Sequence, residues 1–327
     1  MTLKKIFFLT QIFIFAYSAL FSQSPEDYVI KIAKFKGNKS AAISYTFDDG
    51  YREHYTLVAS ELEKRGFRGT FWVNGTTQNR NEPEITDTTR ATWMQLKEMT
   101  QKGHEISNHG WSHKNLNRIT NEEVIAEIRK NDSIILEKTG VMPVTYCYAY
   151  NAKNDDAVKL ASVGRVGTRT FQRSIGSKAT DENLKKWVDE LIGNKDWGVG
   201  MTHGISYGYD AFSNPQVFWL HLDQVKSLED KIWVGTFREV SAYVTERDST
   251  RLKIVKKKNK LKISLFHSLN RKLFNQPLTL IVNTSERALK SVKQGTSEII
   301  FRQTSPSEIV FDFDPSGKQI IIRYAAK

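Results

Sequence analysis

Two adjacent carboxylates, Asp48 and Asp49, follow an apolar run near the start of the chain and precede Gly50. Two histidines, His109 and His113, come about sixty residues later and stand four positions apart. One aspartate and two histidines form a ligand set for Zn²⁺ or a similar divalent ion, with coordination positions left for water and substrate. The second carboxylate, beside the metal, could act as a general base. These residues therefore predict a divalent-metal site with acid–base chemistry next to it.

A third histidine, His203, ends the apolar run at 197–202, where an imidazole is well placed to act as a general acid. Each of these residues also has a purely structural interpretation. The two aspartates could cap the following helix, the His109/His113 pair could lie on the surface, and His203 could be hydrogen-bonded in the core. The single cysteine, Cys147, excludes an internal disulfide, and no histidine near it in sequence could activate it as a nucleophile.

Strand-like runs alternate with amphipathic helical runs between about residue 40 and residue 248. Thr120 and Glu123 form a capping box that opens one of the helices, and Gly140 follows its expected end. Repeated strand–helix units predict a parallel sheet closed, or nearly closed, into a barrel, whose chemistry lies at the carboxyl ends of the strands. Both aspartates and two of the histidines fall at such ends. The predicted strands are residues 41–47, 69–73, 104–107, 144–150, 166–170, 197–202 and 232–236.

The pattern changes after residue 248 to short alternating runs separated by turn residues, which predicts a small antiparallel β-sandwich. Residues 249–327 hold 16 Lys or Arg against 5 Asp or Glu, a net charge of +11, whereas residues 1–248 hold 32 against 31. This basic module could attract an acidic polymer or a cell-envelope surface, or it could be a structural domain with a solvated basic face. The runs are residues 252–255, 261–266, 278–282, 299–302, 309–313 and 320–324.

The N-terminus resembles a targeting segment. Lys4 and Lys5 precede an apolar run at 6–21 that is short for a membrane span and leads into polar residues. We expect residues 1–23 to be a signal peptide, with an uncleaved anchor as the alternative, and the protein to be periplasmic or secreted. Export argues against nucleic acid as a partner. The expected division is signal peptide 1–23, barrel 24–248 and basic β-sandwich 249–327.

Three motifs together resemble the polysaccharide deacetylase family, also called the NodB-homology domain or carbohydrate esterase family four. They are Thr-Phe-Asp-Asp-Gly at 46–50, His-Gly-Trp-Ser-His at 109–113 and Met-Thr-His at 201–203. The resemblance covers roughly residues 38–248 and does not reach the β-rich tail. It implies a distorted (β/α) barrel and metal-dependent hydrolysis of acetyl groups on a carbohydrate or polysaccharide. The expected ion is Zn²⁺, with Co²⁺, Ni²⁺ or Mn²⁺ as alternatives.

The resemblance also implies a role for each motif residue. Asp48 would be the catalytic base and His203 the catalytic acid, while Asp49, His109 and His113 would bind the metal.

The residues expected around the substrate complete the site. The backbone N–H of Tyr150 would help hold the oxyanion, and Met201 falls where the family usually has a leucine lining the acetyl-methyl pocket. The aromatic side chains that could stack against a sugar are Trp72, Trp111, Trp197 and Tyr207.

One departure from the family concerns the arginine that usually tethers the base, because Cys147 stands in its place. A branch of the family carries an arginine in the next strand instead, and Arg169 could be that residue. A catalytically weak or inactive carbohydrate-binding protein on the same barrel is an alternative, and the missing arginine slightly favours it. An amidase acting on non-sugar C–N bonds is a further alternative on the same fold.

Overall fold

The computed structural model describes residues 29–78, 88–284 and 288–325. The expected signal peptide lies outside these residues. Within them, no helix combines the length and the apolar character that crossing a membrane requires. The described chain begins with strand β1 (Ile30–Ile32), which pairs with a strand of the C-terminal domain.

A curled parallel sheet with helices around it forms the first domain. Its strands lie in the order β6-β5-β4-β3-β2-β8-β7, and β9 pairs with the first residues of β2. The consecutive strands β6 and β7 lie at opposite edges of this sheet, so the barrel stays open between them. The predicted distorted (β/α) barrel is confirmed. The strands are β2 (Ala41–Asp48), β3 (Thr70–Val73), β4 (Glu105–Asn108), β5 (Thr145–Cys147), β6 (Gly167–Arg169), β7 (Arg173–Ser174), β8 (Trp197–Thr202) and β9 (Ile232–Val234).

The helices follow the strands as the sequence pattern predicts. The capping box of Thr120 and Glu123 is present, and Gly140 ends that helix in the left-handed conformation with φ 80°. A π-helical stretch, His54–Ala59, begins shortly after the Asp-Asp-Gly motif and leads into the first α-helix. The α-helices are α1 (Ser60–Lys64), α2 (Trp93–Gln101), α3 (Asn121–Thr139), α4 (Asp155–Ser162), α5 (Asp181–Asn194), α6 (Gln216–Ser227) and α7 (Phe237–Ser249).

Strand β2 is buried on both faces, and its alternation separates the core from the site. Tyr45 and Phe47 pack into the apolar cluster between the sheet and its helices. Thr46 and Asp48 contact a buried arginine from another strand, on the opposite side of β2. The barrel interior is therefore polar where β2 ends, and an acidic side chain lies there.

The second domain consists of two antiparallel sheets whose inner faces share one apolar core, so the predicted sandwich is confirmed. One sheet has the order β1-β12-β16-β15 and the other β10-β11-β17-β13-β14. Strand β1 therefore belongs to the sandwich, although the expected division placed it with the barrel. The strands are β10 (Arg251–Lys257), β11 (Lys260–Phe266), β12 (Leu278–Asn283), β13 (Leu289–Gln294), β14 (Ser297–Glu298), β15 (Arg302–Ser305), β16 (Glu308–Phe313) and β17 (Ile320–Tyr324).

The sandwich is attached at the amino ends of the barrel strands. Helix α7 runs back from the carboxyl end of β9, and its Tyr243 ring packs in the sandwich core. The Tyr243 hydroxyl donates to the carbonyl of Ala33, 2.9 Å away, in the segment that leads from β1 into β2. Because active barrel sites lie at the carboxyl ends of the strands, the second domain lies at the other end of the barrel.

Candidate active site

The three predicted metal ligands converge at the carboxyl ends of β2 and β4. Nε2 of His109 and Nε2 of His113 each lie 3.5 Å from Oδ1 of Asp49. That oxygen is buried and has no hydrogen-bond partner among the described residues. Asp49 and His113 both adopt positive φ, 71° and 56°, a strained conformation that is common where function requires it. An orphaned carboxylate oxygen facing two imidazoles fits a divalent cation.

One hydrogen bond fixes the tautomer of His109. Its Nδ1 lies 3.0 Å from the carbonyl oxygen of Cys147, and since a carbonyl only accepts, Nδ1 must carry the proton. Nε2 is then unprotonated in the neutral ring and directs its lone pair toward Asp49. Such a bond to the remote ring nitrogen orients a metal-binding histidine.

The loop that carries His113 is held by a buried carboxylate that sequence reasoning did not identify. Glu127 of α3 accepts hydrogen bonds from the backbone N–H and the hydroxyl of Ser112, at 2.8 and 2.6 Å. The side-chain amide of Asn74, the residue after β3, donates to the carbonyl of His109 at 2.6 Å. A signal was available, because Glu127 lies between Val124 and Ile128 on the buried face of α3.

Asp48 points into the barrel and forms a bidentate pair with Arg169. Nη1 of Arg169 lies 2.8 Å from Oδ1 of Asp48, and Nη2 lies 2.5 Å from Oδ2. The same Nη1 also donates to the hydroxyl of Thr46. Burial by itself raises the pKa of Asp48, but the charge of Arg169, the nearby His109 and the hydrogen bonds outweigh it and lower that pKa to about 2. The structure thus contains the contact expected for a replacement arginine.

Cys147 stands beside Arg169 in the register of β5 and β6. Side chains in register on neighbouring strands share a face, so a small residue at 147 leaves room for the guanidinium to reach Asp48. Burial raises the pKa of the Cys147 thiol well above its usual value, which keeps it protonated. Cys147 therefore has the environment of a structural cysteine, not of a nucleophile.

His203 follows β8 and is half-buried. Its carbonyl oxygen accepts a hydrogen bond from Nε2 of His54 at 2.6 Å, and its ring contacts the ring of Tyr209 edge-on at 4.9 Å. Its Nδ1 is buried and has no hydrogen-bond partner in the part of the chain that the structure describes. The register of β2 and β8 pairs Phe47 with Thr202, so the residues that come next, Asp48 and His203, lie at the same end of the two strands.

The aromatic residues expected at the substrate lie elsewhere in most cases. Trp197 begins β8 and donates from Nε1 to the hydroxyl of Ser44, so it lies at the amino end of the barrel, and its expected place in the pocket is wrong. Trp72 is fully buried. Trp111 lies against Gly75 and beneath the ammonium of Lys130, 4.2 Å from its ring centre.

Other side chains border the site on its open side. Met201 is buried near the carboxyl end of β8, two positions before His203, where a residue lining the pocket is expected. Tyr150 and Tyr209 are 69% and 70% exposed, and their rings contact His113 and His203 respectively. Two exposed tyrosines thus border the site, one beside His113 and one beside His203. The sequence did not identify Tyr209, because it lies in an irregular loop without a motif.

Residues 36–167 match the family model described as polysaccharide deacetylase. This part of the chain belongs to the polysaccharide deacetylase family. The family resemblance drawn from the three motifs is thereby confirmed.

Curated relatives of this polysaccharide deacetylase domain include two bacterial enzymes. The peptidoglycan-N-acetylglucosamine deacetylase PgdA of Listeria monocytogenes is 29% identical over 180 residues, which cover 54% of this chain and 35% of that protein. The peptidoglycan-N-acetylmuramic acid deacetylase PdaA of Bacillus subtilis is 26% identical over 209 residues, covering 61% of this chain and 68% of that protein. This chain thus spans about a third of the length of the first relative. A solved family 4 acetyl xylan esterase from Clostridium thermocellum, in complex with a cobalt ion, is 19% identical with a TM-score of 0.48, over 63% of this chain and 91% of that one.

The family match ends at residue 167, just before Arg169 and well before His203. The aspartate pair and the two metal-site histidines lie inside it. The candidate metal ligands therefore lie within the matched segment, whereas Arg169, the partner of the base, and His203, the candidate acid, lie beyond it.

Proposed function

We propose that this chain is an exported, metal-dependent deacetylase that removes acetyl groups from a carbohydrate. The observation that carries this proposal is the pairing of Asp48 with Arg169 directly beside the convergent set of Asp49, His109 and His113. An ionised base next to a complete ligand set is what hydrolysis of an amide or ester requires. The names of the two bacterial relatives support an N-acetylated glycan as the substrate.

In the proposed mechanism, Asp49, His109 and His113 would hold a divalent ion, expected to be Zn²⁺. When bound, such an ion would supply Lewis-acid polarisation of the acetyl carbonyl and would lower the pKa of water. Asp48, kept ionised by Arg169, takes the proton of the attacking water.

The remaining groups act on the two atoms that acquire charge during hydrolysis, which are the acetyl oxygen and the nitrogen or oxygen of the leaving group. The backbone N–H of Tyr150 stabilises the oxyanion, and His203 protonates the leaving amine or alkoxide. Met201 contacts the acetyl methyl group, and the exposed rings of Tyr150 and Tyr209 stack against the sugar.

Metal analysis of the purified protein combined with acetate release from a panel of substrates tests this proposal. The panel contains N-acetylated glycans, O-acetylated glycans and non-sugar acetamides. We expect one divalent ion per chain and release from an acetylated glycan. Full metal occupancy without release from any substrate would instead support a binding protein, and release from the non-sugar amides alone would support an amidase.

Replacing Arg169 with Met is expected to move the acidic limb of the pH–rate profile to higher pH. A general base works only when ionised, so activity declines as the pH falls through its pKa. With Arg169 present, the pKa of Asp48 is about 2, which leaves the base ionised throughout the usual working range. Without that charge, burial raises the pKa of Asp48, and activity at acidic pH is lost first.

Arg165→Met is the matched control for this variant, because Arg165 is also a buried arginine paired with a carboxylate, Asp132 at 2.6 Å, outside the site. Both variants lose a buried ion pair, but only Arg169→Met should change the pH profile, with its metal retained. An unchanged profile in Arg169→Met would refute the proposed role of this arginine.

The second domain is proposed to hold the enzyme near its substrate. Residues 249–327 carry the net charge of +11, and the partner expected for such a module in an exported protein is an acidic polymer of the cell envelope.

A further inference from the structure

One face of the sheet β10-β11-β17-β13-β14 carries a regular array of cations, which we call the basic face. Leu261 and Ile322 point into the sandwich core, so the residues that alternate with them point outward. The register places Lys257, Lys260 and Arg323 side by side across three adjacent strands. Directly opposite residues in an antiparallel sheet have Cβ atoms about 4.5–5.5 Å apart. The basic face is formed by Arg251, Lys253, Lys257, Lys260, Lys262, Lys293 and Arg323.

Among the residues that the structure describes, few acidic side chains balance the charges of the basic face. Glu298 lies 2.7 Å from Lys293 across the β13–β14 pair and balances that one lysine. The charge of Lys262, together with those of Arg323 and Lys257, lowers the pKa of Lys260. Like charges directly opposite one another destabilise a sheet. Stability of the fold therefore does not explain this arrangement, whereas neutralisation by an anionic partner would.

The shape and position of the basic face limit which kind of anionic partner can bind to it. The face is an outer sheet surface, and lysine, a point charge on a flexible stem, recognises anions without fixed geometry. These properties suit an extended polymer with repeated charges better than a compact ligand. The sandwich lies at the amino ends of the barrel strands, so a polymer bound there leaves the catalytic rim accessible.

We propose that the basic face binds a linear acidic polysaccharide, a polymer of uronate-type carboxylates. The choice of a polysaccharide over an anionic lipid surface rests on the proposed function, since a carbohydrate-active enzyme gains from retention in a carbohydrate layer. The basic face then keeps the enzyme within that layer while the rim of the barrel turns over acetylated chains.

Binding of the full chain to polygalacturonate tests this proposal, with fully methyl-esterified polygalacturonate as the uncharged polymer of the same backbone. The variant Lys253→Glu, Lys257→Glu, Arg323→Glu reverses three exposed charges of the basic face. Its matched control, Lys97→Glu, Lys159→Glu, Lys185→Glu, makes the same net change at exposed positions of α2, α4 and α5. Neither variant changes a residue of the active site.

We expect the variant of the basic face to bind polygalacturonate about tenfold more weakly or worse, because like charges across an interface repel. The control should bind about as well as the unchanged protein. Binding should weaken steeply between 0.01 and 0.15 M salt, where the Debye length falls from about 30 to about 8 Å. Equal losses in both variants, equal binding of the esterified polymer, or preferential binding to phosphatidylglycerol vesicles would each overturn the proposal. Both variants should release acetate from a small soluble substrate at the rate of the unchanged protein. If the unchanged protein itself released no acetate, that result would count against the proposed function and not against binding by the basic face.

A second, independent observation concerns the loop that follows His203. Glu53 is 4% exposed, and its carboxylate accepts hydrogen bonds from the backbone N–H of Ile205 and from the N–H and hydroxyl of Ser206. The neighbouring His54 donates to the carbonyl of His203. Two consecutive side chains that follow the metal-site motif thus hold the backbone on both sides of the turn after His203.

The turn itself allows little adjustment. Gly204 approaches the carbonyl oxygen of Tyr207 so closely that a Cβ would lie 1.6 Å from it. Because the turn is tight and its N–H groups bind Glu53, the orientation of the His203 ring depends on this carboxylate. We infer that Glu53 is a positioning residue for proton donation by His203, an inference that rests on the proposed function.

The variant Glu53→Gln tests this inference by comparing two substrates, one whose leaving group needs a proton and one whose leaving group does not. An N-acetyl sugar releases an amine that must be protonated, whereas 4-nitrophenyl acetate releases a stable phenolate that needs no acid. We expect kcat for the sugar to fall relative to kcat for the aryl ester by roughly tenfold to a hundredfold, since a misplacement of about 1 Å can cost about 10²-fold. His203→Ala should show the same pattern, and bound metal should be retained in both.

Glu127→Gln is the matched control, because Glu127 also holds a loop of the site, the one that carries His113. It should lower metal occupancy and reduce turnover of both substrates together. If Glu53→Gln reduced both substrates equally, Glu53 would be merely structural. If the unchanged protein released no acetate, the proposed function would fail instead.

Discussion

Asp48→Asn is expected to lower acetate release by about 10²–10⁴-fold, the contribution typical of a general acid or base, while the metal stays bound. The amide keeps the size of the carboxylate and one oxygen that can accept from Arg169, but it cannot take a proton from water. The metal should remain because the convergent ligand atoms belong to Asp49, His109 and His113. Metal content and turnover, measured on the same preparation, check this expectation.

Asp49→Asn is the natural control, since it makes the same substitution at the adjacent position. It should lose metal and activity together, whereas Asp48→Asn should lose activity alone. Asp48 also groups with His109 and Cys147 as a possible ligand set, so comparable metal loss in both variants would show that Asp48 is itself a ligand. If Asp48→Asn folds poorly because Arg169 is left buried with a weaker partner, the double variant with Arg169→Met removes that charge.

His113→Ala should reduce metal affinity by more than the roughly 10–100-fold that losing an outer partner of a ligand costs, because it removes a ligand itself. Acetate release should fall in parallel and recover in part at high metal concentration. His113 is suited to truncation because its side chain is 25% exposed, so its loss leaves no closed cavity in the core. Metal titration followed by turnover at each metal concentration measures both effects.

His267→Ala is the matched control for that experiment. His267 lies in the second domain, where its ring pairs with the hydroxyl of Ser316 at 2.8 Å, so this variant also removes one imidazole but not at the site. It should bind metal as the unchanged protein does. Full metal occupancy in His113→Ala, or equal losses in both variants, would contradict the assigned ligand set.

Features encoded by neighbouring residues were predicted well from the sequence. The capping box of Thr120 and Glu123 and the strand at 197–202 appear where the pattern placed them. Their signals lie within a few residues of the element itself, so no knowledge of distant contacts is needed. The strand expected at 144–150 ends early, at Cys147, because Tyr150 and Asn151 adopt positive φ in the turn that follows.

The sandwich shows where local pattern is insufficient. Strand β13 was missed because Leu289 and Val292 are its only apolar residues. Of the run expected at 299–302, residues 299–301 lie between β14 and β15, and only Arg302 belongs to a strand, the start of β15. Strand β1 pairs with β12, about 250 positions later in the chain. The sequence of a three-residue strand does not specify which strand it pairs with, because pairing depends on which sheet edge is available in the folded chain.

Within the site, the sequence by itself determined which residue types could bind a metal and which could move a proton. Strand length alone could have excluded Trp197 from the pocket, because a strand of six residues places positions 197 and 203 about 20 Å apart along the chain. Tertiary structure alone decided that Arg169 reaches Asp48 across 121 positions, and that Glu127 and Glu53 hold the histidine loops. Residue type is a property of one position, whereas these contacts depend on strand order and register, which arise only when distant segments pack together.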